Sequence, residues 1–204
     1  MDPFLSIIIP ALNEEKTIGI CLEKIKNGCN REHITFEIII ADSSSDRTPD
    51  IARSHGARVI HPEKLGYGNA YIAAFPHARG EIIVMGDGDN TYDFTKIPEL
   101  IEPIMNGKAE MVIGSRLKGA ILAGSMPWLH QYIGNPLLTR LLNFTFHTSF
   151  SDTHSGFRAI RIDALNRLRL HTGGMEFASE MLIEIARKGI IFEEIPITYY
   201  PRSA

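Results

Sequence analysis

The most chemically distinctive feature of the sequence is a pair of aspartates, Asp87 and Asp89, separated by a single glycine. They follow the apolar run 81–85 almost directly. Two carboxylates this close repel each other, and a bound cation relieves that repulsion. Mg²⁺ or Mn²⁺ suits such a pair because these ions take oxygen ligands and keep other positions for water and phosphate. The pair therefore predicts a divalent-metal site, with a polar turn as the alternative.

Polar residues also follow three other apolar runs, at 10–15, 42–48 and 115–116. Ligands of open parallel sheets bind beyond the carboxyl ends of the strands, so these stretches are expected to meet around one site. Asp42 can accept hydrogen bonds from a base or a ribose there. The serines that follow Asp42 are equally typical of a loop that caps a helix.

Weaker signals accompany this constellation. Gly66 and Gly68 precede a helix whose N-terminus could face a phosphate, although the spacing matches neither a dinucleotide fingerprint nor a Walker loop. Arginines suit phosphate because their guanidinium is planar, but each is as typical of a surface ion pair. The arginines that follow or flank strands are Arg116, Arg158 and Arg202.

These residues must be positioned by alternating strands and helices. The apolar runs that predict strands are 5–10, 36–41, 58–61, 81–85, 110–114, 156–160 and 190–200. The spacing of apolar residues predicts helices over 14–27, 46–55, 69–78, 94–105, 162–169 and 177–188, and a long, mostly helical stretch over 117–150. Continuous apolar strands joined by helices indicate an α/β fold with a mostly parallel sheet flanked by helices.

Composition limits the class of protein. The chain has 204 residues and a formal net charge of -3, which gives no electrostatic reason to expect nucleic-acid binding. Its two cysteines form no Cys-x-x-Cys pair, so a reducing, cytoplasmic location is expected, with peripheral attachment to the cytoplasmic face of a membrane as an open alternative. No run of about 18 apolar residues predicts a membrane-spanning helix.

Taken together, the motifs resemble family 2 glycosyltransferases with the Rossmann-like GT-A fold, and more closely their polyprenyl-phosphate branch, the dolichol-phosphate mannosyltransferase type. The segments that carry the resemblance are 9–15, 42–48, 87–89, 114–116, 155–159 and 195–202. The resemblance implies a single domain over 1–204, with a nucleotide-sugar half at 1–116 and an acceptor-side helical elaboration at 117–204. It also implies inversion at the anomeric carbon.

The resemblance further assigns roles to residues. Asp87 and Asp89 would hold Mg²⁺ or Mn²⁺, and Thr91 stands where that branch often has a glutamine as an added metal ligand. Arg116, Arg158 and Arg202 would meet the donor diphosphate or the acceptor phosphate. The residues implied to bind the nucleotide sugar are Pro10, Leu12, Asn13, Glu14, Asp42, Ser44, Gly68, Asp87, Gly88 and Asp89.

The expected reaction moves a hexose from a UDP- or GDP-linked sugar to a polyprenyl phosphate, dolichyl or undecaprenyl. Asp89 is expected to be catalytic through the metal. If the acceptor were a hydroxyl, a carboxylate such as Asp152 or Glu180 would have to take its proton. A solvated helix face is an equally simple interpretation of Glu180, and a structural loop is the simpler interpretation of Asp152.

A lipid acceptor suggests a membrane-facing surface within 120–150, where Arg140 and His147 accompany a cluster of apolar residues. An ordinary core-packed helix pair is the alternative. The apolar residues of this cluster are Trp128, Leu137, Leu141, Leu142 and Phe146.

Two rival functions remain. Asp87-Gly-Asp-Asn-Thr91 also resembles the nucleophile motif of haloacid-dehalogenase-type phosphatases, in which the first aspartate attacks phosphate. That motif usually opens its domain, whereas three strands precede it here. The second rival is a module that binds a sugar nucleotide without turnover.

Overall fold

The fold is built on one seven-stranded sheet. The computed structural model describes residues 2–125 and 134–202. The strand order is β3-β2-β1-β4-β6-β5-β7, and only β6 runs antiparallel to its neighbours. The prediction of a mostly parallel α/β sheet is therefore confirmed.

The strands are β1 (Leu5–Ala11), β2 (Phe36–Asp42), β3 (Arg58–Ile60), β4 (Ile82–Met85), β5 (Met111–Ile121), β6 (Arg158–Arg161) and β7 (Phe192–Tyr199). The helices are α1 (Ile18–Arg31), α2 (Thr48–Ser54), α3 (Tyr67–Ala74), α4 (Ile97–Met105), α5 (Asn135–Phe146), α6 (Ile162–Leu165) and α7 (Phe177–Lys188). Short 3₁₀ turns cover Phe75–His77 and Phe94–Lys96. None of the described helices is long and apolar enough to cross a membrane.

Both faces of the sheet are buried, which explains why its strands are apolar throughout. In β1, Ile7 and Ile9 pack with α1, α2 and α4, whereas Ile8 packs on the opposite face with α3 and α7. Burying each such side chain contributes about 1.5–3 kcal/mol. These two core layers hold the strands, and with them the strand ends from which the loops begin.

The largest departure from the sequence-based prediction lies in the stretch 117–150. The structure continues β5 to Ile121, where the sequence predicts helix, and α5 accounts for Asn135–Phe146. The pairing of β5 with β7 is irregular between Ser115 and Ala120. It resumes at Ala120, and this second stretch of pairing extends the strand to Ile121. Gly119 permits this close pairing, since a Cβ atom there would lie 1.9 Å from the carbonyl oxygen of Ile197. Trp128 lies outside the described residues.

The C-terminal part of the chain completes the same sheet. Strands β5, β6 and β7 lie beside β4, and α5, α6 and α7 contribute to the core on the α3 face. The assignment of 1–116 to a donor half and 117–204 to an acceptor half stays a prediction.

Candidate functional site

The predicted acids lie at one edge of a cavity of about 410 Å³ at the carboxyl ends of β1, β2 and β4. This is the position at which open parallel sheets bind ligands. Seven of the predicted site residues line it: Pro10, Leu12, Glu14, Asp87, Gly88, Asp89 and Arg202. Three of the four polar stretches expected to meet here contribute residues to the cavity, whereas Ser115 and Arg116 do not line it.

A second cavity, of about 460 Å³, lies beside β5 and β7. Its two lysines, Lys96 and Lys118, are already paired with Glu99 and Glu194. None of the predicted site residues lines it. The chemistry of the acids therefore identifies the first cavity as the candidate active site.

The turn after β4 aims Asp89 by means of Thr91. The Thr91 amide and hydroxyl both donate hydrogen bonds to Oδ1 of Asp89, at 3.1 and 2.6 Å. Asn90 adopts a positive φ of 64°, which an asparagine tolerates better than most residues. Thr91, which stands where the related branch often has a glutamine, therefore orients the Asp89 carboxylate through Oδ1.

Oδ1 of the Asp87 carboxylate is buried without a hydrogen-bond partner in the described structure. Burial, reinforced by the charge of Asp89, raises the pKa of Asp87 to about 7. A hydrogen bond from the Tyr67 hydroxyl and the charges of Arg116 and Arg158 oppose this rise. Gly156 packs against the same group, because a Cβ atom there would lie 3.0 Å from Oδ2 of Asp87.

The two aspartates fit a hard divalent cation that is shared with a ligand. A buried carboxylate oxygen without a partner is costly, and a cation would satisfy it. Within residues 2–125 and 134–202, no cluster of three or more His, Cys, Asp or Glu side chains is placed to hold a metal alone. Water and phosphate oxygens would have to complete the shell, as is usual for Mg²⁺.

The raised pKa of Asp87 predicts metal binding that depends on pH. A protonated carboxyl is a poor ligand, so Mn²⁺ affinity should fall up to about tenfold per pH unit below pH 7 and level off above it. Electron paramagnetic resonance of free Mn²⁺ from about pH 5.5 to about pH 8.5 measures this. Asp87→Asn should bind more weakly and without this dependence; a flat wild-type profile would contradict the assignment.

The stability of the metal-free protein depends on pH in the opposite direction from its metal affinity. The pKa of Asp87 is higher when folded than its ordinary value of 3.8, so its contribution to stability is present at low pH. That contribution is lost as the pH rises from 3.8 to about 7. Urea unfolding of the metal-free protein across this range supplies the comparison with the metal titration.

Hydrogen bonds connect the loops after β1 and β2. The Asn13 amide donates to Oγ of Ser44 at 2.8 Å, and the Asn13 side chain accepts from the Ser45 amide at 2.9 Å. Asn13 holds a positive φ of 58° at this junction. Asn13 and Ser44, implied to contact the nucleotide, are thus placed next to the cavity but are engaged with each other.

Asp42 is buried beneath this junction. Ala41 and Ser43 line the cavity on either side of it, whereas Asp42 itself does not. Both carboxylate oxygens of Asp42 lack a hydrogen-bond partner in the described structure. Nδ1 of His61 is 3.7 Å from Oδ2 of Asp42. The carboxylate is therefore close to the predicted base site and is not satisfied by the protein alone.

The structure gives Gly68 a role different from the predicted one. The amides of Gly68 and Asn69, at the start of α3, donate to the carbonyls of Gly174 and Gly173, so protein main chain occupies this helix end. A Cβ atom on Gly68 would lie 2.1 Å from the Thr172 carbonyl oxygen. The glycine permits close packing of the 172–174 segment, which does not support phosphate binding at this helix end.

Glu180 supports the same segment from α7. Its carboxylate accepts hydrogen bonds from the amides of His171 and Thr172 and from the Thr172 hydroxyl. Burial acts to raise the pKa of Glu180, but these hydrogen bonds outweigh it and hold the pKa below its usual value. Glu180 lines a different surface depression from Asp89, so the placement does not support its prediction as a general base.

Arg116 and Asp152 form a buried ion pair. Nε and Nη2 of Arg116 each donate to Asp152 at 2.8 Å, and the Arg116 amide donates at 3.0 Å. Burial acts to raise the pKa of Asp152, but Arg116 outweighs it, so the pKa lies below its usual value. The Asp152 carboxylate is thus engaged by Arg116 and is a weak base. The Arg116 guanidinium also lies 5.1 Å from the ring centre of Tyr199.

The other two arginines differ from each other. Arg158 is 1% exposed and donates to the main-chain carbonyls of Thr153, Ser155 and Ala178, a placement that favours a structural role over the predicted contact with phosphate. Arg202 lines the cavity, with its side chain 64% exposed, and pairs with Glu14.

Several cavity residues escape prediction from sequence. Leu65 and Met175 are exposed apolar side chains at the cavity, and Tyr67 contacts Asp87 from below. Met175 is distant in sequence and belongs to no motif. For Leu65 and Tyr67 the sequence signal is the Leu-Gly-Tyr-Gly segment at 65–68, whose glycines indicate a phosphate-facing helix start rather than a cavity wall.

Comparisons with known proteins identify the family to which the chain belongs. The family model described as glycosyl transferase family 2 matches residues 6–169. The chain is 49% identical over 98% of its length to a Haloferax volcanii protein named low-salt glycan biosynthesis hexosyltransferase Agl6, but spans only 48% of that relative. It is 36% identical to the Haloferax volcanii dolichyl-phosphate hexose transferase, covering 98% of this chain and 84% of that one.

Solved structures confirm the fold. Glucosyl-3-phosphoglycerate synthase from Mycobacterium tuberculosis, in complex with Mn²⁺, uridine diphosphate and glucosyl-3-phosphoglycerate, matches with a TM-score of 0.76 at 23% identity over 99% of this chain and 72% of that one. Mannosyl-3-phosphoglycerate synthase from Rubrobacter xylanophilus matches with a TM-score of 0.79 at 18% identity over 99% and 68%. The fold is GT-A, and the chain belongs to family 2 of the glycosyl transferases.

Proposed function

We propose that this chain is the catalytic domain of an inverting hexosyltransferase that uses a UDP- or GDP-linked sugar and a polyprenyl phosphate. The observation that carries the proposal is the cavity in which Asp87 and Asp89 meet the ends of β1 and β2. The names of two relatives, a hexosyltransferase and a dolichyl-phosphate hexose transferase, support the reaction class and the acceptor.

Donor binding is assigned to the β1 and β2 side of the cavity. Leu12, Leu65 and Met175 are exposed apolar groups against which a nucleoside can pack. The unpartnered Asp42 carboxylate supports a base that offers an N–H donor, because such a bond would satisfy a buried acceptor. Uracil and guanine both offer such an N–H donor.

Asp87 and Asp89 would hold Mg²⁺ or Mn²⁺. When bound, the ion supplies charge that offsets the negative charge of the departing nucleoside diphosphate. Structures of glucosyl-3-phosphoglycerate synthase that contain Mn²⁺ and UDP support a divalent ion as the cofactor. Thr91 keeps the Asp89 carboxylate oriented before the ligand arrives, so little reorganisation is needed on binding.

The state of the predicted bases favours a phosphate acceptor over a hydroxyl. Asp152 is tied to Arg116, Glu180 is tied to the 171–172 amides, and both have lowered pKa values. An anionic phosphate oxygen is already nucleophilic and needs no base. In this mechanism the phosphate oxygen attacks the anomeric carbon, and the bond to the nucleoside diphosphate breaks on the opposite side of the sugar.

The phosphatase alternative loses its basis, because the chain belongs to family 2 and the Thr91 of its motif serves to orient Asp89.

A sugar-transfer assay distinguishes the proposed enzyme from the other alternative, a module that binds a sugar nucleotide without turnover. We expect labelled hexose to move from a UDP- or GDP-hexose to a short-chain polyprenyl phosphate with Mn²⁺. The unphosphorylated polyprenol should accept none. Donor binding without any transfer would favour the binding module.

A membrane surface is part of this proposal. Four apolar side chains of α5 are exposed: Leu137 (62%), Leu138 (50%), Leu141 (61%) and Phe144 (82%). Leu142 is buried and Phe146 is half-buried against the core, so these two differ from the predicted lipid-facing set. The sequence has no acidic residue between Met111 and Ser151. Of the basic residues in this stretch, Arg140 is exposed on α5, whereas Arg116 and Lys118 are paired with Asp152 and Glu194.

This composition suits a cytoplasmic membrane face that carries anionic lipids. The buried side of α5 is joined to the segment that holds Asp152: Thr139 is hydrogen-bonded to Thr153 at 3.0 Å, and Asn143 donates to the Phe150 carbonyl at 2.7 Å. These bonds connect α5 to the part of the chain that we assign to the acceptor, so the proposal includes the exposed face of α5 in the acceptor side.

We expect the double variant Leu141→Glu/Phe144→Glu to bind anionic phospholipid vesicles at least about tenfold more weakly than the wild type, because it places acids on the apolar face. Co-sedimentation measures the change. Ile20→Glu, at an exposed apolar residue of α1, is the matched control and should bind like the wild type. A wild type that stays in the supernatant would reject the membrane surface without affecting the sugar-transfer assay.

A further inference from the structure

Helix α1 packs against the turn that carries the two aspartates. The Cys21 thiol donates to the Gly88 carbonyl at 3.5 Å, and a Cβ atom on Gly88 would lie 3.5 Å from the Ile18 side chain. Three residues further along the same face of α1, Nζ of Lys24 donates a hydrogen bond to Oδ1 of Asn90 at 2.8 Å. The turn is therefore held by α1 as well as by the end of β4.

Asn90 is the residue at which this turn needs support. Its φ of 64° lies in the left-handed region, which glycine adopts freely and other residues adopt at a cost. Asn90 stands between Asp89 and Thr91, so the two hydrogen bonds from Thr91 to Asp89 close across it. A bond that fixes the Asn90 side chain therefore favours the backbone conformation that orients the Asp89 carboxylate.

Lys24 also contacts the segment that follows β7. Its Nζ lies 5.7 Å from the centre of the Tyr200 ring, within the range of a cation–π interaction. The Tyr200 amide in turn donates to the Thr91 carbonyl at 3.0 Å. Lys24 is half-buried, which limits the positions that its ammonium can take. Its ammonium thus joins Asn90 to the strand segment that borders the same turn.

We propose that Lys24 is a positioning residue for the metal site, and that it holds Asn90 so that the Asp89 carboxylate faces the cavity. Asp89 lines the cavity and Lys24 does not, so Lys24 acts through the turn and not on the ligand. A carboxylate that is already oriented loses less freedom on binding an ion, which raises the affinity. The inference rests on the proposed function, because it takes the two aspartates as metal ligands.

The affinity for Mn²⁺ tests this role without turnover. Electron paramagnetic resonance of free Mn²⁺, alone and with UDP or GDP, should show binding to Lys24→Met that is about fivefold to tenfold weaker than to the wild type. The direction is informative, because the loss of a positive charge near two acids would by itself strengthen cation binding. Lys24→Arg should recover most of the affinity, since a guanidinium can donate to the same amide oxygen and stack on the same ring.

The matched control is the next lysine of α1. Lys26→Met makes the same chemical change on the same helix, at a residue that pairs with Glu23, and it should leave the Mn²⁺ affinity unchanged.

Asn90→Gly separates positioning from a general loss of stability. Glycine takes a positive φ freely and offers no side-chain acceptor to Lys24. In this background, Lys24→Met should change the Mn²⁺ affinity by less than about twofold. Hydrogen exchange in the metal-free protein gives a second readout: Lys24→Met should accelerate the Thr91 amide, which donates to Asp89, more than the amides of β2.

The outcomes distinguish this inference from the proposed function. An affinity of Lys24→Met that equals or exceeds that of the wild type, or an equal loss in the Asn90→Gly background, would overturn the positioning role and leave the proposed function in place. A wild type that binds no Mn²⁺, with or without a nucleoside diphosphate, would overturn both. A loss that requires Asn90, with faster exchange at Thr91 and an unaffected Lys26→Met, would establish the role of Lys24.

Discussion

Asp89→Asn is expected to lower the rate of hexose transfer by about 1,000-fold or more, which corresponds to about 4 kcal/mol of transition-state stabilisation. The substitution keeps the shape of the side chain and leaves an oxygen to accept the hydrogen bonds of Thr91. It removes the negative charge at the cavity and therefore the hold on the metal and the leaving diphosphate. Initial rates at saturating donor and acceptor measure the effect.

Two comparisons make this result specific. Asp50→Asn makes the same chemical change at an exposed residue of α2 that pairs with Arg53, and it should leave the rate unchanged. The melting temperature of Asp89→Asn should stay close to that of the wild type, since Asp89 lies at the cavity surface. A rate within about tenfold of the wild type would remove Asp89 from the catalytic centre.

Asp152→Asn is expected to reduce the free energy of unfolding by about 3–5 kcal/mol. The Asp152 carboxylate is fully buried and neutralises Arg116, which is itself only 6% exposed. An amide cannot compensate that charge, and an unpaired buried guanidinium is costly. Urea unfolding, followed by far-ultraviolet circular dichroism, gives the difference.

The matched control is an ion pair at the surface. Asp163→Asn removes the partner of Arg161, and both side chains of that pair are largely exposed. Exposed pairs contribute less than about 1 kcal/mol, so this variant should stay near the wild type. Equal losses for Asp152→Asn and Asp163→Asn would show that the buried pair does not stabilise this part of the sheet.

The succession of strands along the chain and the place of the acids can be inferred from sequence for a physical reason. Strands that are buried on both faces must be apolar throughout, so their ends are visible as abrupt changes to polar residues. Asp87 and Asp89 follow such a change, and the structure places them beside Pro10 and Leu12 as expected. The antiparallel direction of β6 left no trace in its short apolar sequence.

The individual roles of side chains were harder to infer, because partners distant in sequence decide them. Arg158 has the residue type of a phosphate ligand, yet main-chain carbonyls from three places surround its guanidinium. Gly68 looks like part of a phosphate loop, yet the 172–174 segment fills the space above it. Neither the packing at Gly68 nor the carbonyls at Arg158 leave a periodic signal along the chain.

The strand over 117–121 was missed for a related reason. Its residues carry no alternating pattern, and Gly119 is there because the main chain of Ile197 passes close to it. Pairing with β7 therefore decides the conformation, against a local preference that indicates no strand. The sequence predicts an apolar exposed surface in this region, but in α5 Leu142 is buried and Phe144 is exposed.

The most direct test of the metal-assisted transferase site is isothermal titration of the protein with UDP and with GDP, each with and without Mn²⁺. We predict that one of the two nucleotides binds at least about tenfold more tightly with Mn²⁺, and that Asp89→Asn abolishes this gain. Nucleotide affinity that does not change with Mn²⁺, or an increase in affinity that persists in Asp89→Asn, would contradict the proposal that the two aspartates bind a metal-bound diphosphate.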